Sequence, residues 1–301
     1  MNKKILSLLL AGAMVFGLAA CSNDAQQDTE SPAGNSQAVS GAPASSAPEA
    51  GEANVAVFYY NYSDAFIASV RAELDAVLDS AGITYQDYDS NGSQATQNEY
   101  ISTALSNGAN ILVVNLVDTG SMDAANAIIE QAAAVGAQVV FFNRAVEADG
   151  QEGTVLNAHE NVAFVGTDAP EAGHLQGQMI GEYLTENFDA VDLNGDGKIS
   201  YAMFMGQVGN VEAIYRTQYS VEDANALLAE NGHGTADDPA LVYFAASNTD
   251  MYQADQAGNW SAQAAMEYMQ TNLSQYNEAN GNMIEVVICN NDNMAEGAIA
   301  A

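Results

Sequence analysis

Positive charge is scarce in this sequence of 301 residues. Six Lys and Arg residues face 39 Asp and Glu residues, which gives a formal net charge of −33 at pH 7. A protein that binds a nucleic-acid backbone needs a basic surface, so the composition excludes nucleic acid as a partner. After the first twenty residues, the basic residues that remain are Arg71, Arg144, Lys198 and Arg216. Each of them is therefore a candidate for a specific role.

Cysteine and proline are also scarce. The two cysteines, Cys21 and Cys289, are too few for a disulfide framework and are wrongly spaced for a zinc site. Cys289 lies on an apolar predicted strand, where we expect a small core residue. Five prolines and an apolar fraction of 48% are ordinary for a folded chain of one large domain or two smaller ones.

The sequence lacks the common catalytic motifs as well. It contains no Gly-x-Ser-x-Gly, His-Glu-x-x-His, Walker lysine loop or Gly-x-Gly-x-x-Gly. The histidines His159, His174 and His233 are far apart in sequence and are predicted to lie on the surface. A carboxylate pair such as Asp64 and Glu212 could imitate a glycosidase, and sugar turnover would reveal it. We nevertheless predict that the chain is not an enzyme.

Residues 1–20 have the features of an export signal, with a short positive start and an apolar run too short to span a bilayer. Leu18-Ala19-Ala20 followed by Cys21 resembles the lipobox of bacterial lipoproteins, which predicts that Cys21 is lipidated. A plain secretory signal is the alternative. Residues 21–53 are predicted to be a flexible tether because they contain almost no large apolar side chain. The negatively charged folded part would then be held to the outer membrane face by lipid alone.

From Asn54 onward, short β-rich runs alternate with longer runs of helical periodicity, a pattern typical of α/β proteins with parallel sheets. The predicted strands are 55–60, 84–88, 111–115, 138–142, 163–165, 201–205, 241–246 and 284–289. The predicted helices are 64–81, 94–107, 122–135, 172–187, 211–231, 261–273 and one starting near Asn293. We predict two doubly wound parallel-sheet lobes, an N-terminal lobe over 54–166 and a C-terminal lobe over 167–301. Ligands in such sheets bind beyond the carboxyl ends of the strands.

The last predicted helix is short. It begins Met294-Ala-Glu-Gly-Ala-Ile-Ala-Ala, and the sequence stops at Ala301. An amphipathic helix normally runs on to complete a unit. We therefore expect the C-terminal lobe to be incomplete in this sequence.

The segment 192–200 matches the first nine residues of an EF-hand calcium loop. Oxygen donors would alternate along it, from Asp192, Asn194, Asp196, the Lys198 carbonyl and Ser200. Met203 stands where the usual bidentate carboxylate would be, so a distant residue must complete the shell. The loop predicts a Ca²⁺ site. The alternative is a surface turn rich in Asx and glycine that binds no metal.

Several segments of the sequence form a recognisable set. In order, they are Phe58–Phe66, Asn115–Asp118, Val140–Arg144, Val165–Asp168, the loop 192–200, Glu212–Arg216, Trp260 and Ile284–Asp292. Their order and approximate spacing resemble those of the bacterial galactose/glucose-binding proteins, which are two-lobed solute-binding proteins of ABC sugar importers. The resemblance covers the chain from about Val55 to its end. It implies a type I periplasmic-binding-protein fold.

The resemblance also implies a set of sugar ligands. Phe66 and Trp260 would stack on the two apolar faces of a pyranose. Polar groups around its edge would be Tyr60, Asp64, Asn143, Arg216 and Asn291, with Asn210 and Glu212 at two further pocket positions. The family pattern has His in place of Asn210 and Asp in place of Glu212, so the identity of the hexose is left open.

The resemblance further implies that Glu285 supplies the missing carboxylate of the calcium loop. Ser200 replaces a longer side-chain ligand and is expected to reach the ion through water. The Ca²⁺ would be structural, stiffening the C-terminal lobe without touching the sugar.

We predict a membrane-anchored extracytoplasmic receptor that captures a glucose- or galactose-like monosaccharide and presents it to the membrane subunits of an ABC importer. Whether a chemoreceptor also recognises the closed form is left open by the sequence. One alternative is a different sugar, such as a pentose. Another is a calcium-dependent adhesion or scaffold module, which would bind a protein partner and no free sugar.

Overall fold

The computed structural model describes residues 52–119, 122–148 and 150–301. All of them belong to one compact unit. The predicted export signal, Cys21 and the tether up to Gly51 lie outside the described residues. No helix in the described ranges is long and apolar enough to cross a membrane.

The N-terminal lobe is built on a five-stranded parallel sheet with the strand order β2-β1-β3-β4-β5. Its strands are β1 (Asn54–Tyr59), β2 (Thr84–Asp89), β3 (Ile111–Val114), β4 (Gln138–Phe142) and β5 (Val162–Val165). Its helices are α1 (Ala65–Ser80), α2 (Gln94–Ser106) and α3 (Met122–Val135). The strand order reverses direction at β1, because β2 lies on one side of β1 and β3 to β5 lie on the other.

The C-terminal lobe is built around β6, which pairs in parallel with three other strands. The strands are β6 (Ile199–Met205), β7 (Leu241–Tyr243), β8 (Gln253–Ala254) and β9 (Val286–Cys289). The helices are α4 (Ala169–Val191), α5 (Val211–Glu230), α6 (Ala262–Gln275) and α7 (Asp292–Ala300).

Helices cover both faces of the N-terminal sheet. Along β1, Ala56 and Phe58 pack with α2 and α3, whereas Val55, Val57 and Tyr59 pack with α1. Successive residues of a strand point to opposite faces, so this alternation shows two cores, one on each side.

The C-terminal sheet is covered in the same way. Tyr201 and Met203 of β6 pack with α4 and α5, and Ala202 and Phe204 pack with α6 and α7. Parallel sheets are stable when both faces are buried. The predicted α/β class with two doubly wound parallel sheets is therefore confirmed.

Three differences between the predicted and the observed strands and α-helices exceed two residues or concern a whole element. Helix α4 begins at Ala169, because Pro170 fits the first turn of a helix, and it continues to Val191 past non-helical dihedral angles at Asn187. The strand predicted over 241–246 is only β7, three residues long. The two-residue strand β8 was not predicted, since a segment this short carries no periodicity.

One edge of the N-terminal lobe buries a pair of carboxyl groups. Asp75 of α1 and Asp87 of β2 each have one carboxyl oxygen that is buried without a hydrogen-bond partner among the described residues. The Tyr59 hydroxyl is buried in the same way. Burial, followed by the charge and contact of Asp75, raises the pKa of Asp87 to about 6. Two carboxyl groups can hydrogen-bond to each other only if one is protonated. Asp87 therefore holds a proton in mildly acidic solution.

We expect Asp87→Asn to stabilise the protein near pH 7.5 but not near pH 4.5. Between the ordinary pKa of 3.8 and the raised value of about 6, the folded state binds more protons than the unfolded chain, so stability falls as pH rises. Above that range the folded protein carries a buried negative charge that costs stability, and asparagine removes that charge. Urea unfolding at the two pH values measures the difference.

Glu73→Gln is the matched control, because Glu73 is an exposed carboxylate on the same helix. We expect it to change stability little at either pH. An Asp87→Asn effect of equal size at both pH values would contradict the raised pKa of Asp87.

Candidate ligand-binding cleft

The strand order of the N-terminal sheet places a crevice at the carboxyl ends of β1 and β3. The chain leaves β1 for β2 on one side, whereas β3 pairs on the other side. Open α/β sheets bind ligands at such a switch point. In the C-terminal sheet, β6 lies between β7 and β9 and has a corresponding end at Met205. The candidate residues follow these strand ends.

Tyr60 and Asp64 follow β1 and are both buried. The Asp64 carboxylate caps helix α1, because its Oδ1 accepts a hydrogen bond from the Ile67 amide at 2.9 Å. Its Oδ2 accepts a hydrogen bond from the Tyr60 hydroxyl at 2.5 Å. Burial and this hydrogen bond raise the pKa of Tyr60. The Tyr60 hydroxyl is therefore held as a donor to Asp64.

Asn143 follows β4 and has a left-handed backbone conformation with φ of 66°. Asparagine adopts this conformation more readily than most residues. Its Oδ1 accepts a hydrogen bond from Asn115 Nδ2 at 3.1 Å. Asn115, which the sequence analysis did not assign to the site, also accepts from the Tyr60 amide at 3.3 Å. Asn115 therefore links the ends of β1, β3 and β4.

Asn210 and Glu212 begin helix α5 of the C-terminal lobe and are both buried. Asn210 Oδ1 caps the helix by accepting from the Ala213 amide, while its Nδ2 donates to Thr119 Oγ1 of the N-terminal lobe at 2.7 Å. Glu212 Oε1 accepts from the Ala145 amide, also of the N-terminal lobe, at 2.7 Å. Both residues therefore reach across the cleft.

Arg216 lies one turn further along α5. Its Nη1 donates to the Asn290 carbonyl oxygen at 2.8 Å, and its guanidinium carbon lies 5.8 Å from the centre of the Trp260 ring. Burial lowers the pKa of Arg216, whereas the negative charge of Glu212 opposes that shift. The guanidinium is thus removed from water.

Trp260 is the only tryptophan of the chain and is 6% exposed. Its ring lies against the backbone of Gly206, where a Cβ atom would come within 2.0 Å of Trp260 Cδ2. Asp255 fixes the preceding loop by accepting hydrogen bonds from the amides of Ala257 and Ser261. The ring position therefore depends on a glycine at the end of β6.

Asn291 connects the two lobes at the other side of the cleft. Its Oδ1 caps α7, and its Nδ2 donates to the Trp260 carbonyl oxygen at 3.2 Å and to Asp64 Oδ2 at 3.5 Å. Tyr60, Asp64, Asn291 and Trp260 therefore form one network. Phe66 lies two residues after Asp64 and is 53% exposed, so it is not part of the core.

Three polar atoms on the cleft side of the C-terminal lobe are buried without a hydrogen-bond partner among the described residues. They are Glu212 Oε2, Arg216 Nε and Trp260 Nε1. Buried polar groups in folded proteins are nearly always paired, so three such atoms on neighbouring elements are unusual. One is an acceptor and two are donors.

Arg144 and Gln207 also lie at the cleft, although neither is among the predicted ligand residues. Arg144 is buried and donates to the carbonyl oxygens of Leu116 and Val117 at 2.9 Å each, and to Gln207 Oε1 of the C-terminal lobe. Its guanidinium lies 4.3 Å from the centre of the Tyr60 ring. The scarcity of basic residues and the position directly after Asn143 were the signals that pointed to it.

Carboxylate groups accept hydrogen bonds from the backbone amides of the calcium-like loop 192–200. Asp192 accepts hydrogen bonds from the amides of Gly195, Asp196 and Gly197, and Asp196 accepts from the Lys198 amide. Asn194 Nδ2 donates to Asp196 Oδ2 at 3.0 Å. The Lys198 side chain points to Asp238, 2.6 Å away.

Glu285 lies at this loop although it is distant in sequence. Its Oε1 accepts from the Leu193 amide at 2.8 Å, and its Oε2 accepts from the Ser200 amide at 2.7 Å. The Ser200 hydroxyl donates to the Met283 carbonyl oxygen and to Glu285. In the described ranges no three Asp, Glu, His or Cys side chains are grouped as a metal site. The donor set of the EF-hand-like loop is not a group of this kind, because it would include the side-chain amide of Asn194 and the main-chain carbonyl of Lys198.

A further concavity of about 670 Å³ lies between α4 and α5. Its lining includes His174, whose Nδ1 is 2.6 Å from Asp223 Oδ2, and none of the predicted site residues. His174 is exposed and stacks on Tyr219.

Two doubly wound lobes with polar side chains meeting at their strand ends define the class of two-lobed solute-binding proteins. Residues 55–301 match the family described as the periplasmic binding protein domain. The chain belongs to this family. It is a family of binding proteins and not of enzymes, as predicted, and its members act outside the cytoplasm.

The sequence is also similar to that of an individual binding protein. The chain is 33% identical over 257 residues to the D-galactose/methyl-galactoside binding periplasmic protein of Haemophilus influenzae, which covers 85% of this chain and 68% of that protein.

Solved structures agree with the fold. A solute-binding protein of Clostridium phytofermentans with bound β-D-glucose superposes with a TM-score of 0.63 at 20% identity, covering 82% of this chain and 68% of that one. One from Bacillus halodurans with bound myo-inositol gives a TM-score of 0.59 at 19% identity, covering 85% and 72%.

We expect Gly206→Ala to displace the Trp260 ring and to destabilise the protein by about 1–3 kcal/mol, because the new Cβ overlaps the ring. Since Trp260 is the only tryptophan, its emission reports the change directly. Emission should shift to longer wavelength, and acrylamide should quench it more strongly.

The control is Gly166→Ala, which places a Cβ 2.4 Å from Cζ of Phe164 in the N-terminal lobe. It should leave the tryptophan emission unchanged. Unaltered emission in Gly206→Ala would show that the ring does not lie against β6.

Proposed function

We propose that the chain binds a monosaccharide of the glucose or galactose type in the cleft between its lobes and delivers it to an ABC importer. The observation that carries this proposal is the set of buried, unpaired atoms Glu212 Oε2, Arg216 Nε and Trp260 Nε1. A sugar hydroxyl both donates and accepts, so a ring with several hydroxyls suits one acceptor and two donors at once.

The charges of the cleft favour a neutral ligand. The guanidinium groups of Arg144 and Arg216 are accompanied by the carboxylates of Asp64 and Glu212, all of them largely removed from water. An additional charge from the ligand would be buried without compensation, which is costly. A polyol adds hydrogen bonds and no charge. The relatives described above bind galactose, glucose and myo-inositol, which are all neutral cyclic polyols.

Aromatic and polar side chains would contact different parts of the sugar. Phe66 is exposed and stands beside Asp64, whereas Trp260 is buried and shares Asn291 with Asp64. The two rings would cover the apolar faces of the sugar while carboxylate and amide groups bind its edge. Asn143, Asn210 and Glu212 would set the hydroxyl pattern, and the last two would decide between hexoses or a pentose.

Binding would act through the equilibrium between open and closed lobes. Hydrogen bonds across the cleft come from Asn210, Glu212 and Asn291. A ligand that contacts both lobes stabilises the closed state over the open one. The closed form is then the species that the importer subunits, and a chemoreceptor where one is present, would recognise. No covalent step is needed.

Ca²⁺ would have a structural role at the loop 192–200. The donors that suit a hard cation are the side chains of Asp192, Asn194 and Asp196, the Lys198 carbonyl and the carboxylate of Glu285. Glu285 already lies against the loop backbone, so small side-chain rotations would turn it toward an ion. The ion would tie β9 to the end of α4.

A lipid anchor on Cys21 would keep the receptor at the membrane. Its support is the Leu18-Ala19-Ala20-Cys21 sequence. Mass analysis of the mature N-terminus should find an acylated cysteine, and an unmodified residue there would contradict the anchor.

We expect Phe66→Ala to lower sugar affinity about tenfold while changing the free energy of unfolding by less than about 0.5 kcal/mol. The side chain is 53% exposed, so its removal leaves no cavity. Calorimetry with D-glucose, D-galactose, a pentose and myo-inositol measures binding.

Val77→Ala is the matched control, because Val77 is 60% exposed on the same helix and lies away from the strand ends. It should bind like the parent chain. Equal affinities for the two variants would contradict stacking by Phe66, and no heat with any sugar would contradict sugar binding.

We expect excess chelator to lower the melting temperature of the calcium-loaded protein, because an ion bound only by the folded state stabilises it by about 2.7 kcal/mol at one hundred times its dissociation constant. Asp196→Asn should lose most of this response. Asp189→Asn, which alters an exposed carboxylate just before the loop, should keep it. A melting temperature of the parent chain that chelator leaves unchanged would contradict the site.

A further inference from the structure

A contact between the lobes lies beside the predicted ligand residues. Gln207 follows β6 in the C-terminal lobe, and its Oε1 accepts hydrogen bonds from Arg144 and, at 3.3 Å, from Thr119 Oγ1 of the N-terminal lobe. Two donors from one lobe thus meet one acceptor from the other. Gln207 also lies over Gly258, where a Cβ would come within 3.1 Å of its side chain.

Arg144 is held rigidly on its own lobe. Two carbonyl oxygens accept from the same Nη1 at 2.9 Å, and the guanidinium lies over the Tyr60 ring. The hydrogen bonds that it donates within the described residues all reach uncharged oxygens. A hydrogen bond donated by a charged group is stronger than one between neutral groups, so the contact of the buried guanidinium with Gln207 Oε1 of the other lobe should favour closure.

We propose that Arg144, Thr119 and Gln207 form a latch between the lobes that sets the fraction of closed protein before any ligand binds. The latch residues are not among the predicted sugar ligands. Their effect on affinity is indirect, because the apparent dissociation constant equals the intrinsic one divided by the closed, binding-competent fraction. The effect on sugar affinity rests on the proposed sugar binding, whereas the effect on the closed fraction of the ligand-free protein does not.

The latch also positions a ligand residue. Arg144 lies over Tyr60, and the Tyr60 hydroxyl donates to Asp64. Closing the latch therefore completes a chain of contacts from Gln207 to the carboxylate that would bind the sugar. Gln207 is a positioning residue in this arrangement.

Gln207 variants test the latch in opposite directions. Gln207→Glu keeps the shape and adds a charge facing Arg144, so it should raise the closed fraction. Gln207→Leu removes the acceptor and should lower it. The radius of gyration of the ligand-free full chain, measured by X-ray scattering, should decrease in the first variant and increase in the second. Sugar affinity should rise and fall by about tenfold in parallel, as expected for a hydrogen bond to a charged group.

Gln256→Glu is the control, because it makes the same change at an exposed glutamine of the same lobe. It should leave both quantities unchanged. If Gln207→Leu does not fold, Thr119→Val replaces it in the test. This variant removes the second donor to Gln207 and should lower the closed fraction less strongly. In an Arg144→Met background, Gln207→Glu should no longer favour closure.

Unchanged scattering in both Gln207 variants, or the same shift in Gln256→Glu, would overturn the latch. If scattering responds as expected but no sugar binds to any variant, the latch stands and the proposed function fails. If sugar binds but affinity is independent of Gln207, the proposed function stands and the coupling between latch and ligand is wrong.

Discussion

Charge buried between the lobes must be compensated across the cleft, and the rest of the site depends on this constraint. Arg144 and Arg216 on the positive side, with Asp64 and Glu212 on the negative side, are largely removed from water. Main-chain groups and amides of the opposite lobe satisfy several of their hydrogen bonds, as Ala145 does for Glu212. Such groups are costly to bury alone, so the contacts between the lobes supply part of their compensation.

Local helix chemistry explains how the site is assembled. Asp64, Asn210 and Asn291 each cap the first turn of a helix with one side-chain oxygen. In each case the other polar atom of the side chain is directed to the cleft, toward Tyr60, Thr119 and Trp260 respectively. A short capping residue after a strand therefore has two roles. One side-chain atom caps the helix and fixes the position of the residue, and the other polar atom is left for binding.

The sequence predicted what is local and missed what depends on the contact between lobes. Strand and helix periodicity gave both sheets, and the strand-end rule drew attention to Asp64, Asn143 and Asn291. Gln207 could not be found in this way, since its partner Arg144 is 63 residues away on another lobe. Glu285 was assigned to the calcium loop by resemblance alone, because it is 85 positions from Ser200 and no sequence pattern links the two.

The central claim is that one neutral polyol is held by both lobes at their strand ends. Hydrogen–deuterium exchange of the full chain, with and without saturating D-galactose or D-glucose, tests it most directly. The account predicts increased protection together at 60–67 and 143–146 in one lobe and at 206–213 and 260–265 in the other, with the loop 192–200 unaffected. Protection confined to one lobe, or none with any sugar, would contradict it.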